Sequence, residues 1–191
     1  MRILQIIFLL FFISSYSLQA QEKRERERKI KTTQAPIPAR DWLNSAYSNP
    51  ASVNWYQQDD SGELSYEAKF KWKSKWHSVK FNPEGGIEDI EIRIVRNEIP
   101  EKTREKIWEY FSSTYSKYKI KKIQLQWTGE EQDLLNALND KGARNLTIRY
   151  EIEYQGRTSE ENRLWEGLFD QSGKLLRRSK IILAPTENLT Y

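Results

Sequence analysis

The chain has 191 residues, no cysteine and a single histidine, which excludes disulfide staples, thiolate chemistry and the familiar His- and Cys-based zinc sites. Its formal charge of +4 reflects 31 basic and 27 acidic residues, but Arg2 and the tract Glu22–Lys31 (six basic, three acidic) hold the whole surplus. Residues 32–191 carry 24 of each sign, so no nucleic-acid partner is expected for the body of the chain.

In chain order, Arg2 precedes a largely apolar run from Ile3 to Ile13, closed by Ser17-Leu18-Gln19-Ala20. A basic start, a short apolar stretch and a small-residue exit predict a signal peptide over 1–20, cleaved after Ala20. The run has eleven residues, short of the ~20 needed to span a bilayer, so no stable membrane insertion is expected after cleavage. The expected location is periplasmic or secreted. Residues 21–35 read as a charged, flexible linker, a solvated spacer whose interleaved glutamates argue against an electrostatic tether to anionic lipid or polysaccharide.

Residues 36–98 then follow a pattern that residues 99–183 repeat. Ile37-Pro38 opens a short amphipathic helix ended by Pro50, and Ile99-Pro100 opens a longer one with Thr103, Ile107, Tyr110, Phe111 and Thr114 along one side. Strands follow each. Trp55, the series Tyr66, Ala68, Phe70, Trp72, and later Ile148, Tyr150, Ile152, Tyr154 alternate with polar residues, as half-buried antiparallel strands do. Returning strands end in two related corners, FNPEGGI over 81–87 and FDQSGKL over 169–175. The second copy carries an insertion at 128–145, with a short helix within EEQDLLNALND, and its closing strand, rich in Arg177, Arg178 and Lys180, reads as an exposed edge. Residues 184–191 form a tail. The fold class expected is α+β: two tandem α-β-β-β(β) repeats forming a mostly antiparallel sheet with helices on one face.

The two proline-opened helices and the two F-x-x-x-G corners, Phe81–Gly85 and Phe169–Gly173, resemble the PepSY-like, β-lactamase-inhibitor-protein-like family of small exported bacterial proteins. The likeness spans roughly residues 36–183. It departs in the second helix, which no proline closes, and in the 128–145 insertion. The resemblance implies a helix-backed sheet whose open face, in the inhibitor proteins, clasps a target protein. It implies no catalytic residues.

Side chains that could do chemistry are few. His77 falls on an apolar face, beside Trp72, Val79 and Phe81, if Ser74-Lys75 is the hairpin turn. The pairs Asp59-Asp60, Glu130-Glu131 and Glu160-Glu161 lie in loops or at a helix start, where acids are ordinary. No G-x-S-x-G, phosphate loop or calcium loop is present. No catalytic residue, cofactor or metal is expected. What remains is the face opposite the helices, where Tyr56, Lys71, Lys73, Trp76, Lys80 and Arg149 mix aromatic and cationic groups suited to a protein partner in the cell envelope. Lys71 and Lys80 could instead pair with Glu91 or Glu67 across strands. Two other functions compete: a glycan-acting hydrolase using the loop carboxylates, and a passive structural envelope protein.

Overall fold

The structure, a computed structural model, describes residues 21–182 apart from 24, 61, 143 and 144. The signal-peptide and C-terminal-tail expectations lie outside these residues.

The predicted order runs twice. Helix α1 (Ile37–Ala46) precedes β3 (Ala51–Asp60), β4 (Glu63–Trp72), β5 (Lys75–Phe81) and β6 (Ile87–Arg93). Helix α2 (Glu101–Thr114) precedes β7 (Lys117–Thr128), the inserted α3 (Glu131–Leu138), β8 (Thr147–Arg157), β9 (Asn162–Asp170) and β10 (Leu175–Ile181). Both helices begin beside proline and end in the same device. Tyr47 and Tyr115 leave the helical conformation, donate their N–H to Leu43 and Phe111, and bury their rings beneath the last turn.

The apolar side of each helix covers one side of the sheet. Trp42 meets Phe81 edge-on at 5.8 Å, and Tyr47 meets Phe70 at 4.7 Å. In the second unit Phe111 meets Tyr154 at 4.7 Å and Phe169 at 5.7 Å. The two corners have one hydrogen-bond pattern: Asn82 N–H to Gly86 O with Gly85 N–H to Asn82 O, and Asp170 N–H to Lys174 O with Gly173 N–H to Asp170 O. Gly85 (φ +89°) and Gly173 (φ +88°) adopt the left-handed backbone that such corners need. Each presses against the first turns of its own unit's helix, near Ala39 and near Thr103 and Lys106.

Four expectations change. The β4–β5 turn is Lys73-Ser74, both at positive φ, with Trp72 opposite Lys75 and Phe70 opposite His77. Moving the turn by one position slides the pairing by two, so every side chain keeps its face. Residues 21–35 are not a flexible linker. Gln21–Lys23 (β1) lies parallel on β10, and Glu25–Ile30 (β2) pairs antiparallel with β3. The physical reason is positional: β2 leads through a 3₁₀ turn into α1 as β6 leads through one into α2. Lys31 N–H bonds Gln34 Oε1 (2.9 Å) as Val95 N–H bonds Glu98 Oε2 (2.8 Å), and Ile30 stands where Ile94 does. Backbone pairing needs no apolar side chain, and one isoleucine anchors the strand to the core. Strand β10, in turn, is not an exposed edge, because β1 covers it.

The fourth change concerns the face away from the helices, which is not open. The sheet has ten strands in the order β1-β10-β9-β8-β7-β6-β5-β4-β3-β2, all neighbours antiparallel except β1 with β10. Strands β1 and β2 therefore sit at opposite edges with one residue between them in sequence. Lys23 and Glu25 can be no more than about 7.6 Å apart. Their partners Ile181 and Asp60 are then within about 17 Å, whereas seven spacings of a flat sheet would separate β10 from β3 by about 34 Å. The sheet is curled, with the helices outside and the polar face within.

Candidate functional site

The curl makes a trough of about 580 Å³ on the polar side. Its floor holds Gln58, Glu67, Ser78, Gln124, Glu151, Glu166 and Ser179, only 4–8% exposed, although each occupies the position along its strand that an open sheet would give to solvent. Glu67 accepts hydrogen bonds from Gln58 Nε2 and Ser78 Oγ. Lys69 bridges Glu27 (2.8 Å) and Glu67 (3.1 Å). Burial works against the Lys69 ammonium, but those two carboxylates outweigh it and hold the group up to about 12. Lys122 pairs with Glu153.

At the centre, Gln126 Nε2 donates to Asp89 Oδ2 (3.2 Å) and Gln124 Nε2 to Glu91 Oε2 (2.5 Å). Burial pushes Asp89 up to about 7; Lys80 opposes the shift, while Glu151, Glu67 and Glu88 add to it. In the unfolded chain this carboxyl titrates near 3.8, so between pH 4 and 7 the folded state binds the extra proton. Stability from this group therefore falls as pH rises through that window. Asp89→Asn should accordingly stabilise the protein at pH 8 by roughly 1–2 kcal/mol and have little effect at pH 4, read as a shift in urea midpoint at the two pH values.

The predicted partner-binding residues separate. Trp76, 53% exposed, and Lys80 line the trough, and Lys80 lies 3.8 Å from Glu88 rather than on Glu91 or Glu67. Lys71 is exposed opposite Trp76. Tyr56 carries the Lys69 ammonium over its ring at 5.0 Å. Lys73, on the turn, folds over Trp72 at 4.2 Å. Arg149 lines a separate shallow groove with Asp170, Ser172 and Leu176.

His77 is a core residue, its ring stacked on Phe70 at 5.8 Å and edge-on to Tyr47 and Trp72. Burial, helped by Lys75 and Lys73, lowers it to about 4. Two of the loop carboxylates serve locally: Asp59 accepts Gly62 N–H (2.8 Å) and Glu161 holds Arg163 (3.1 Å), while at Glu130 it is the backbone carbonyl that opens α3. Among the described side chains, Asp59, Glu130, Glu131, Glu160 and Glu161 do not line the trough. Sequence reasoning did not pick out Glu67, Glu151 and Glu166 as a group because they come singly from β4, β8 and β9. A faint signal was there: Gln124-x-Gln126 and Glu151-x-Glu153 put hydrogen-bonding groups, not cations, on the polar side of adjacent strands. Among the described residues no three His, Cys, Asp or Glu side chains are grouped to hold a metal, and no helix is long and apolar enough to cross a membrane.

Neither a family model nor a curated protein matches the sequence. Solved structures do share the fold. A DUF2874 family protein from Bacteroides ovatus aligns with TM-score 0.53 and 14% identity over 77% of this chain and 88% of its own. A candidate periplasmic protein from Bacteroides eggerthii aligns with TM-score 0.52 and 16% identity over 76% and 88%. A BLIP-like (β-lactamase-inhibitor-protein-like) protein from Bacteroides fragilis aligns with TM-score 0.50 and 14% identity over 81% and 92%.

Proposed function

We propose that this chain is an exported, non-catalytic binding module of the cell envelope, of PepSY-like and inhibitor-like kind, which receives part of a partner protein in the trough. The observation that carries this reading is the burial of seven polar side chains around an accessible cavity, with Trp76 half-exposed at its rim. Keeping polar groups in such a position costs stability where they are not fully hydrogen-bonded, a cost that a recognition site accounts for. The fold shared with a BLIP-like protein and the export signal expected over 1–20 support a binding role in the envelope. The separation of the loop carboxylates from the cavity counts against hydrolysis at those residues.

The test is site-specific photocrosslinking in intact cells, with a benzophenone amino acid replacing Trp76 or, as control, the exposed Val95 outside the trough. A discrete adduct from position 76 and none from 95 is expected. Identical products from both would reject the trough as the binding site.

A further inference from the structure

Past the rim of the trough, the polar face of the sheet carries a different set of side chains. Strand β6 ends at Arg93, opposite Gln124, while β7 starts further out at Lys117. Among the described residues, the first part of β7 is therefore paired with β8 alone. Alternation puts Lys117 and Lys119 on the polar face, opposite Arg157 and Gln155, whereas Tyr118 and Ile120 turn to the helix-covered core. On the other side of Arg93 the same face carries Trp76, one step beyond the His77–Ile92 pair, and then Lys71, directly opposite Trp76.

Lys71, Trp76, Arg93, Lys119, Lys117 and Arg157 thus form a diagonal band from β4 to β8, across four interstrand spacings or about 19 Å. All six are exposed. Among the described residues, no carboxylate forms an ion pair with any of the five cations. Of the acids beside the band, Glu98, Glu153 and Glu161 are held by Lys75, Lys122 and Arg163, and Glu160 lies in the hairpin after Arg157.

Lysines alone would be the ordinary guard of a strand edge without a partner. Such a guard has no use for Trp76, whose indole stands 53% exposed with a cationic residue on either side. A flat aromatic flanked by cations suits a ligand that offers a ring face together with negative charge. Shape selects among such ligands. Trp76 lines the trough, on the concave side of the curled sheet, where a flat bilayer does not reach its indole. The band is too long for one small anion, and its neighbouring cations are offset by a strand spacing or by two residues, about 5–7 Å. A linear chain with one negative group per sugar ring satisfies both.

We propose that this band binds a linear acidic polysaccharide. One sugar ring stacks on Trp76, and carboxylate or sulfate groups of the neighbouring rings meet Lys71, Arg93, Lys119, Lys117 and Arg157. The site lies beside the trough floor and does not depend on a protein occupying the trough.

Isothermal titration calorimetry on residues 21–191 tests it, at low salt, where exposed charges are least screened. The probes are hexagalacturonate and a heparin hexasaccharide. Maltohexaose serves as neutral sugar, hexaglutamate as acidic peptide and phosphatidylglycerol vesicles as anionic surface. Saturable binding of at least one acidic hexasaccharide is expected, with each of the three controls weaker by roughly tenfold or more. Lys117→Gln with Lys119→Gln, and separately Trp76→Ala, should each weaken that binding roughly tenfold. Lys102→Gln with Lys106→Gln removes the same charge from the exposed side of α2 and should change it less than about twofold. No saturable binding of either hexasaccharide, or equal losses in the two double variants, overturns the proposal. Maltohexaose binding as tightly removes the role of charge and overturns it too. Hexaglutamate or vesicles binding as tightly also overturns it, in favour of an acidic protein or a lipid surface.

Discussion

Replacing Gly173 with alanine should cost about 3–4 kcal/mol, enough to leave a small domain marginal. Gly173 sits at φ +88°, where an L-residue is strained by about 1–2 kcal/mol. A Cβ there would also lie 2.6 Å from the Thr103 carbonyl oxygen and 2.7 Å from Lys106 Cβ, so the corner would have to lift off α2, at about 1–3 kcal/mol more. Gly62 isolates the two effects. It too has positive φ (+96°), but nothing lies within 4 Å of its Cβ, so Gly62→Ala should cost only about 1 kcal/mol. Urea midpoints of the two variants, at unchanged m-value, should differ accordingly. Equal losses would mean that the corner does not press on the helix. Gly85→Ala, with its Cβ 2.8 Å from Ala39 N, should behave like Gly173→Ala.

Truncating Phe111 to alanine should be as damaging, at about 3–5 kcal/mol. Its ring is fully buried and touches Tyr110, Tyr118, Tyr154 and Phe169 with centroids 4.7–5.7 Å apart. No neighbour can collapse into the space, because Tyr154 is held by Tyr115 (OH to OH, 2.9 Å) and Tyr115 by Arg178 (3.1 Å). Phe111→Leu, which refills part of the volume, should recover more than half of the loss in thermal unfolding.

These two residues also mark what the sequence made legible. Phe111 was placed on the buried side of its helix by 3.6-residue spacing, and Gly173 in a corner by its match with Gly85. Period-two alternation likewise assigned His77, Trp55 and Tyr154 to the helix-covered side. What alternation cannot carry is curvature. Glu67, Glu151 and Glu166 look like solvent-facing acids in any strand, and only the closing of β1 and β2 onto opposite edges buries them. That closure was hidden because Gln21–Ile30 lacks the apolar alternation of a strand. Its sole clue was Ile30, four residues before Gln34, in the spacing of Ile94 and Glu98. Four of the six residues expected to meet a partner do not line the trough, because alternation assigns a face but not its bend.

The absence of cysteine permits the most direct test of the bend. Ser78→Cys and Ser179→Cys place isosteric thiols on the trough floor, at positions 7% and 4% exposed, and Ser172→Cys gives an exposed reference. Rates of reaction with a bulky neutral maleimide would be measured on residues 21–191, each normalised to the same variant in urea. A curled sheet predicts protection of roughly a hundredfold at 78 and 179 relative to 172. Comparable rates at all three positions would show a flat, open face and would contradict the trough.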